Sequence, residues 1–160
     1  MINKKEQSIL EQSIKEQSIK EQSIKEQNLI LGETMEINMK PLIEKHLDCK
    51  LKFMRKFHIF DYISIDKKIF VELKSRNNTS YKYPSTMVGY NKIIRGKKYM
   101  KMGYDVYFYF KFTDGLFYYK MNNKTKKECE IKIGGRCDRG YDEYKKYCFI
   151  PMNKIKKIET

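Results

Sequence analysis

The sequence predicts an α/β domain, with a mixed central sheet, an added C-terminal hairpin and a low-complexity N-terminal extension. Three observations predict it. Two apolar runs, 57–65 and 68–74, flank the polar pair Asp66-Lys67 and read as strand, turn, strand. Helical periodicity stands before that hairpin, over 29–47, and after it, from Ser85 to about Met102. A further run, Asp105–Phe112, stops at Asp114-Gly115, a strong hairpin signal. The expected division is an extension over 1–28 and a domain over 29–160, long enough for one real core.

Residues 6–30 repeat a pentad, EQSIL, EQSIK, EQSIK, EQSIK, EQNLI. A helix turns about 100° per residue, so a five-residue period spreads Ile9, Ile14, Ile19 and Ile24 around the cylinder. No stripe results, and a coiled coil is disfavoured. Glu11, Glu16 and Glu21 each precede a Lys by four residues, as in Glu11–Lys15, which predicts a marginal, solvated, frayed helix. The first helix of the domain runs from Leu29 to Leu47, with Leu29, Gly32, Met39, Ile43 and Leu47 on one side. Pro41 is the place for a kink or restart.

The hairpin carries the chemistry. With Asp66-Lys67 as the turn, opposed positions sum to 133, and Asp61 falls across from Glu72. Lys74 shares the face of Glu72, one pleat on. Two carboxylates set against each other in an apolar hairpin need a cation between them or a raised pKa. A hard divalent ion suits oxygen ligands, and Mg²⁺ takes one or two carboxylates plus phosphate and water. The bland alternative is a surface salt-bridge cluster.

Asp61, Glu72 and Lys74 in this strand–turn–strand setting resemble the signature of the PD-(D/E)xK nuclease superfamily, the restriction-endonuclease-like fold. Phe60 stands where that signature has Pro. The resemblance covers residues 29 to about 112 and implies a core in αβββαβ order around the mixed central sheet. It implies metal-dependent hydrolysis of DNA phosphodiesters with Mg²⁺ or Mn²⁺, in which Asp61 and Glu72 hold the metal. Lys74 would orient the attacking water or neutralise charge. The superfamily often brings a Glu from the first helix, and Gly32 to Glu36 looks like the G-x-x-x-E start of archaeal Holliday-junction resolvases. Glu36 is therefore the expected carboxylate, with Glu33 second and a solvated charge as the alternative. The resemblance also implies a Lys or Gln from the helix after the hairpin, and Lys92 is the candidate.

That helix follows a polar loop, Asn77–Pro84. Ser85 or Thr86 is the expected cap, and Met87, Tyr90 and Ile94 the expected core face. Its other face is basic through Arg95, Lys97, Lys98 and Lys101, and Gly103 ends it. A right-handed crossover should then set the strand at Tyr107 parallel to the Lys68–Lys74 strand. Its alternating Tyr and Phe suit either a base-stacking platform or a strand covered on both faces. Leu116–Met121 returns, a Lys-rich loop reaches Glu128, and Glu130–Ile133 is a short strand. Gly134–Tyr144 offers Arg136 and Arg139, either to a phosphate or to neighbouring carboxylates. Phe149–Pro151 and Ile155–Ile158 are expected to pack back on the sheet.

Charge points to a polyanion. Lys and Arg number 34 against 20 Asp and Glu, a net +14, and the five Lys and five Glu of residues 1–30 leave all of it on the domain. DNA is the expected partner, with Arg76, Arg95, Arg136 and Arg139 as contacts and a homodimer left open. No apolar run is long enough for a membrane span, and the N-terminus has no secretory h-region, so an intracellular protein of cytoplasm or nucleus is expected. Cys49, Cys129, Cys137 and Cys148 lack zinc-site spacing and read as free thiols. The rival function is a non-catalytic nucleic-acid-binding module. A third is an interaction protein assembled through the pentads.

Overall fold

The computed structural model describes residues 4–134 and 145–159. The chain forms two compact units, Met1–Met39 and Lys40–Thr160. Helix α1, Lys4–Leu47, runs through both and continues past Pro41. In the first unit Ile14, Ile19 and Ile24 are all exposed, as a five-residue period dictates.

The second unit is α/β with a mixed central sheet. Its strands are β1 (Lys52–Phe53), β2 (Tyr62–Ser64), β3 (Ile69–Ser75), β5 (Asp105–Phe112), β6 (Gly115–Lys120) and β9 (Lys156–Lys157), hydrogen-bonded in that spatial order. A separate three-stranded sheet has the order β4 (Ser85–Gly89), β8 (Lys145–Pro151), β7 (Glu130–Gly134). Helix α2 covers Tyr90–Lys101, α3 is a single turn at Thr125–Glu128, and a 3₁₀ turn occupies Met152–Lys154.

The central hairpin has the expected register. Tyr62 faces Val71 and Ser64 faces Ile69, so opposed positions sum to 133. The turn closes through Lys68 N–H to Ile65 O at 3.2 Å, with Lys68 at φ 52°. β3 then runs parallel to β5, with Glu72 beside Phe108, as expected for strands joined by a helical crossover. Alternation along β3 and β5 divides their side chains. Phe70, Val106, Phe108 and Phe110 join Phe60 and Ile93 of α2 in the main core. Val71 and Tyr109 look to the other face, where the Tyr109 hydroxyl meets His46 Nδ1 at 2.7 Å.

Two expectations are corrected. Ser85 and Thr86 do not cap a helix; they belong to strand β4, which pairs antiparallel with β8. Thr86 and Val88 are buried between half-exposed neighbours, a period of two, and α2 starts only after Gly89. The helix face shifts accordingly. Ile93 and Gly96 are buried, whereas Ile94 is 36% exposed and Tyr90 is half-buried. Gly96 permits a close helix–sheet approach, since a Cβ there would lie 2.7 Å from Met121 Sδ. Gly103, at φ 86°, closes the helix in a Schellman arrangement: its N–H reaches Met100 O, and Tyr104 N–H reaches Tyr99 O.

Candidate active site

Glu72 sits mid-strand on β3 with no exposed surface, on the face covered by α2. Neighbouring phenylalanines offer it nothing polar, and a buried carboxylate requires partners. It has two. The Lys92 ammonium, from the first turns of α2, lies 2.7 Å from Glu72 Oε2. The Lys74 ammonium contacts Oε1, yet that oxygen is left without a well-directed hydrogen bond. Lys92 also donates to the carbonyl of Ile59 and lies over the Phe60 ring.

Asp61 comes in from the neighbouring strand, but not by direct opposition to Glu72. The ladder ends at Tyr62, and Asp61 N–H donates at 3.0 Å to Val71 O, the carbonyl opposite Tyr62. This is the offset of a β-bulge, which re-aims the side chain. The Asp61 carboxylate takes over the ladder's next position, with Oδ2 accepting from Leu73 N–H at 2.7 Å. Asp61 is thereby fastened to the peptide between Glu72 and Lys74. Burial pushes the Lys74 ammonium down, but the Glu72 and Asp61 carboxylates outweigh it and its pKa is raised. Lys74 is a fixed cation and not a proton acceptor near neutral pH.

Asp61 and Glu72 fit a divalent ion as a hard, oxygen-only pair, and Oε1 of Glu72 is a buried acceptor with unused capacity. Among the described residues no three His, Cys, Asp or Glu gather to hold a metal. Two carboxylates without further protein ligands suit Mg²⁺ or Mn²⁺, which keep positions for water and phosphate, and not a closed zinc site.

The other expected residues are distributed as follows. Glu33 and Glu36 lie on α1 in the first unit. Arg76 is turned inward: its guanidinium donates to Thr86 Oγ1 at 3.2 Å and Met87 O at 2.5 Å, and lies 6.0 Å from the Phe110 ring centre. It fastens β4 to the end of β3. Arg95 is exposed on α2. Arg136 and Arg139 fall outside the described residues. Sequence reasoning missed Ile59, whose contribution is a backbone carbonyl and leaves no mark in residue type.

Among the described residues no helix is long and apolar enough to cross a membrane. No protein of curated function and no solved structure matches the chain. One sequence family does, described as "phage putative PDDEXK endonuclease", over residues 32–158. That span holds the bulged Asp61, the buried Glu72 and both lysines, and the chain belongs to this family and with it to the PD-(D/E)xK nuclease superfamily.

Proposed function

We propose that the protein is a divalent-metal-dependent endonuclease that hydrolyses DNA phosphodiesters, of repair, recombination or restriction type. The observation that carries this is the fully buried Glu72, held by two ammonium groups beside a carboxylate tied to the same strand. A module that only bound phosphates would gain nothing from burying a negative charge there. The net +14 supports a polyanionic substrate. In this reading α1, the first three strands, α2 and β5 supply the αβββαβ core, and β4 is diverted into the second sheet. Buried Cys129 and Cys148, both free thiols, suit an intracellular, reducing setting.

Asp61 and Glu72 would hold Mg²⁺ or Mn²⁺, which supplies Lewis-acid polarisation of a phosphate oxygen. The chain's own groups do the rest. Lys74, kept protonated by its carboxylate neighbours, donates to the attacking water or to the phosphate oxygen on which charge grows. Lys92 is a positioning residue. By holding Glu72 Oε2 and the Ile59 carbonyl together, it fixes one carboxylate against the segment that delivers the other. Arg95 on the exposed side of α2, and Arg136 and Arg139, would meet the DNA backbone.

Plasmid and defined oligonucleotide structures, incubated with Mg²⁺, Mn²⁺ or EDTA, test the reading. Cleavage should require the metal and vanish in Asp61→Asn. Metal-independent DNA binding without cleavage by the parent protein would replace the enzyme with a binding module.

A further inference from the structure

A cleft of about 520 Å³ opens on the sheet face away from Glu72. The parity of the strands places it. Tyr107 precedes Phe108, the partner of Glu72, and so looks the opposite way. Tyr118, paired with Tyr109, shares that second face. The two tyrosine rings stand 6.4 Å apart, and the His46 ring lies 4.4 Å from Tyr118. Burial pushes the His46 imidazole down, so near neutral pH it adds ring surface without charge. Lys120, Lys154 and Lys156 line the same cleft, and all three are exposed.

The lining is neither apolar nor simply basic. Three ammonium groups face one lining carboxylate, Glu128, which Lys154 approaches only to 3.6 Å. Lys120 pairs with Asp105 across the surface at 2.7 Å and lies over the Tyr107 ring. Exposed pairs of this kind are weak and rearrange readily. Lys156 has no ion pair among the described residues. A ligand that satisfies this cleft carries a flat ring for the tyrosines and a compact anion for the lysines. The volume falls within the range of roughly 300–1,000 Å³ usual for small-molecule sites.

We propose that the cleft binds a nucleoside monophosphate, with its base against Tyr107 and Tyr118 and its phosphate among Lys120, Lys154 and Lys156. The same chemistry is offered by a free nucleotide and by the phosphorylated end of a single strand. Base–aromatic stacking is tolerant of sequence, and lysine serves phosphate as a mobile point charge. The site contains neither Asp61 nor Glu72, so it stands apart from the cleavage reaction.

Titration calorimetry on the full chain tests this with deoxyadenosine monophosphate, deoxyadenosine and inorganic phosphate. The monophosphate should bind about tenfold more tightly than either fragment, since stacking and charge both contribute. Lys156→Glu, on an exposed position, should weaken it about fivefold with an unchanged melting temperature. Tyr118→Leu should remove the advantage over inorganic phosphate; should that variant fail to fold, Lys156→Glu decides alone. A 5′-phosphorylated oligonucleotide that binds more tightly than its unphosphorylated twin and than the monophosphate identifies a strand end; equal or weaker binding than the monophosphate identifies the free nucleotide. No heat with the monophosphate, phosphate binding as well as the nucleotide, or an unaffected Lys156→Glu would each overturn the proposal.

Discussion

Glu72→Gln keeps the shape of the side chain and removes the one negative charge on which two lysines converge. Glu72 is 0% exposed, while the side chains of Lys74 and Lys92 keep 34% and 18% of their surface. Deleting one partner of a buried pair costs about 3–5 kcal/mol, because the other charge stays buried without compensation. Here both ammonium groups can lean toward water along their own stems, which favours the lower end, about 3 kcal/mol. For a unit of this size roughly 3–5 °C is lost per kcal/mol, so the melting temperature should fall by about 10–15 °C. The double variant Glu72→Gln/Lys92→Met should recover part of that loss, since one stranded cation goes with the carboxylate. The linkage has a definite sign. The raised pKa of Lys74 means its contribution is fully present below the unfolded lysine value of about 10.4, and is lost as pH rises through the folded value. Circular dichroism melts at several pH values, beside urea titrations, measure all of this. A Glu72→Gln protein within about 0.5 kcal/mol of the parent would refute the claim that both lysines depend on that carboxylate.

Asp61→Asn retains an oxygen able to accept the Leu73 N–H, so the fold should persist while single-turnover cleavage drops by orders of magnitude and DNA binding survives. Asp61→Ala should additionally lose about 1–3 kcal/mol in urea unfolding, because the Leu73 N–H is left without that acceptor. DNA affinity should fall with salt by roughly 0.9 log units per contacted phosphate for each log unit of salt, and removing the charge-neutral residues 1–28 should leave that slope unchanged in filter-binding assays. The Asp114 carboxylate is held below its usual range, first by the Ser80 hydroxyl and also by the Ser80 N–H. Its stabilising effect is present above the unfolded value and lost as pH falls through the folded one. Ser80→Ala should therefore move the NMR titration of Asp114 upward, and an unmoved titration would assign the shift to another group.

The parts of this molecule that were legible in the sequence are governed by local rules. Asp66-Lys67 between two apolar runs determines the hairpin register, and Asp114-Gly115 marks the β5–β6 turn, because turn chemistry and a period of two act over a few residues. The parallel pairing of β3 with β5 follows from the long helical connection between them. Non-local effects were not legible. Ser85–Gly89 imitates a helix start, and only β8, far along the chain, makes it a strand. Once the helix begins at Tyr90, its buried face passes through Ile93 and Gly96 in place of Ile94. The bulge at Asp61 was invisible for a different reason. Residue types show which side chains want one face, but not where a ladder gives up a backbone carbonyl to a carboxylate. The hold of Arg76 on β4 was not legible either, because an arginine beside the motif has the same letter whatever it meets.

The pairing of β4 with β8 also has a consequence for the order in which the molecule comes into being. Among the described residues β4 has one ladder partner, and Ser85 waits for Pro151. Such distant pairings are slow to form and come late during synthesis. Until residues 145–151 have been made, the strand that leads into α2 has no ladder to rest on, and Lys92 sits just inside that helix. A nascent chain ending before β8 would carry Asp61, Glu72 and Lys74 with no settled anchor for the lysine that braces them. On the proposed function, the site around Glu72 thus reaches its final form only with β8, a segment that supplies none of the proposed site residues, and chains truncated before it should cleave DNA poorly.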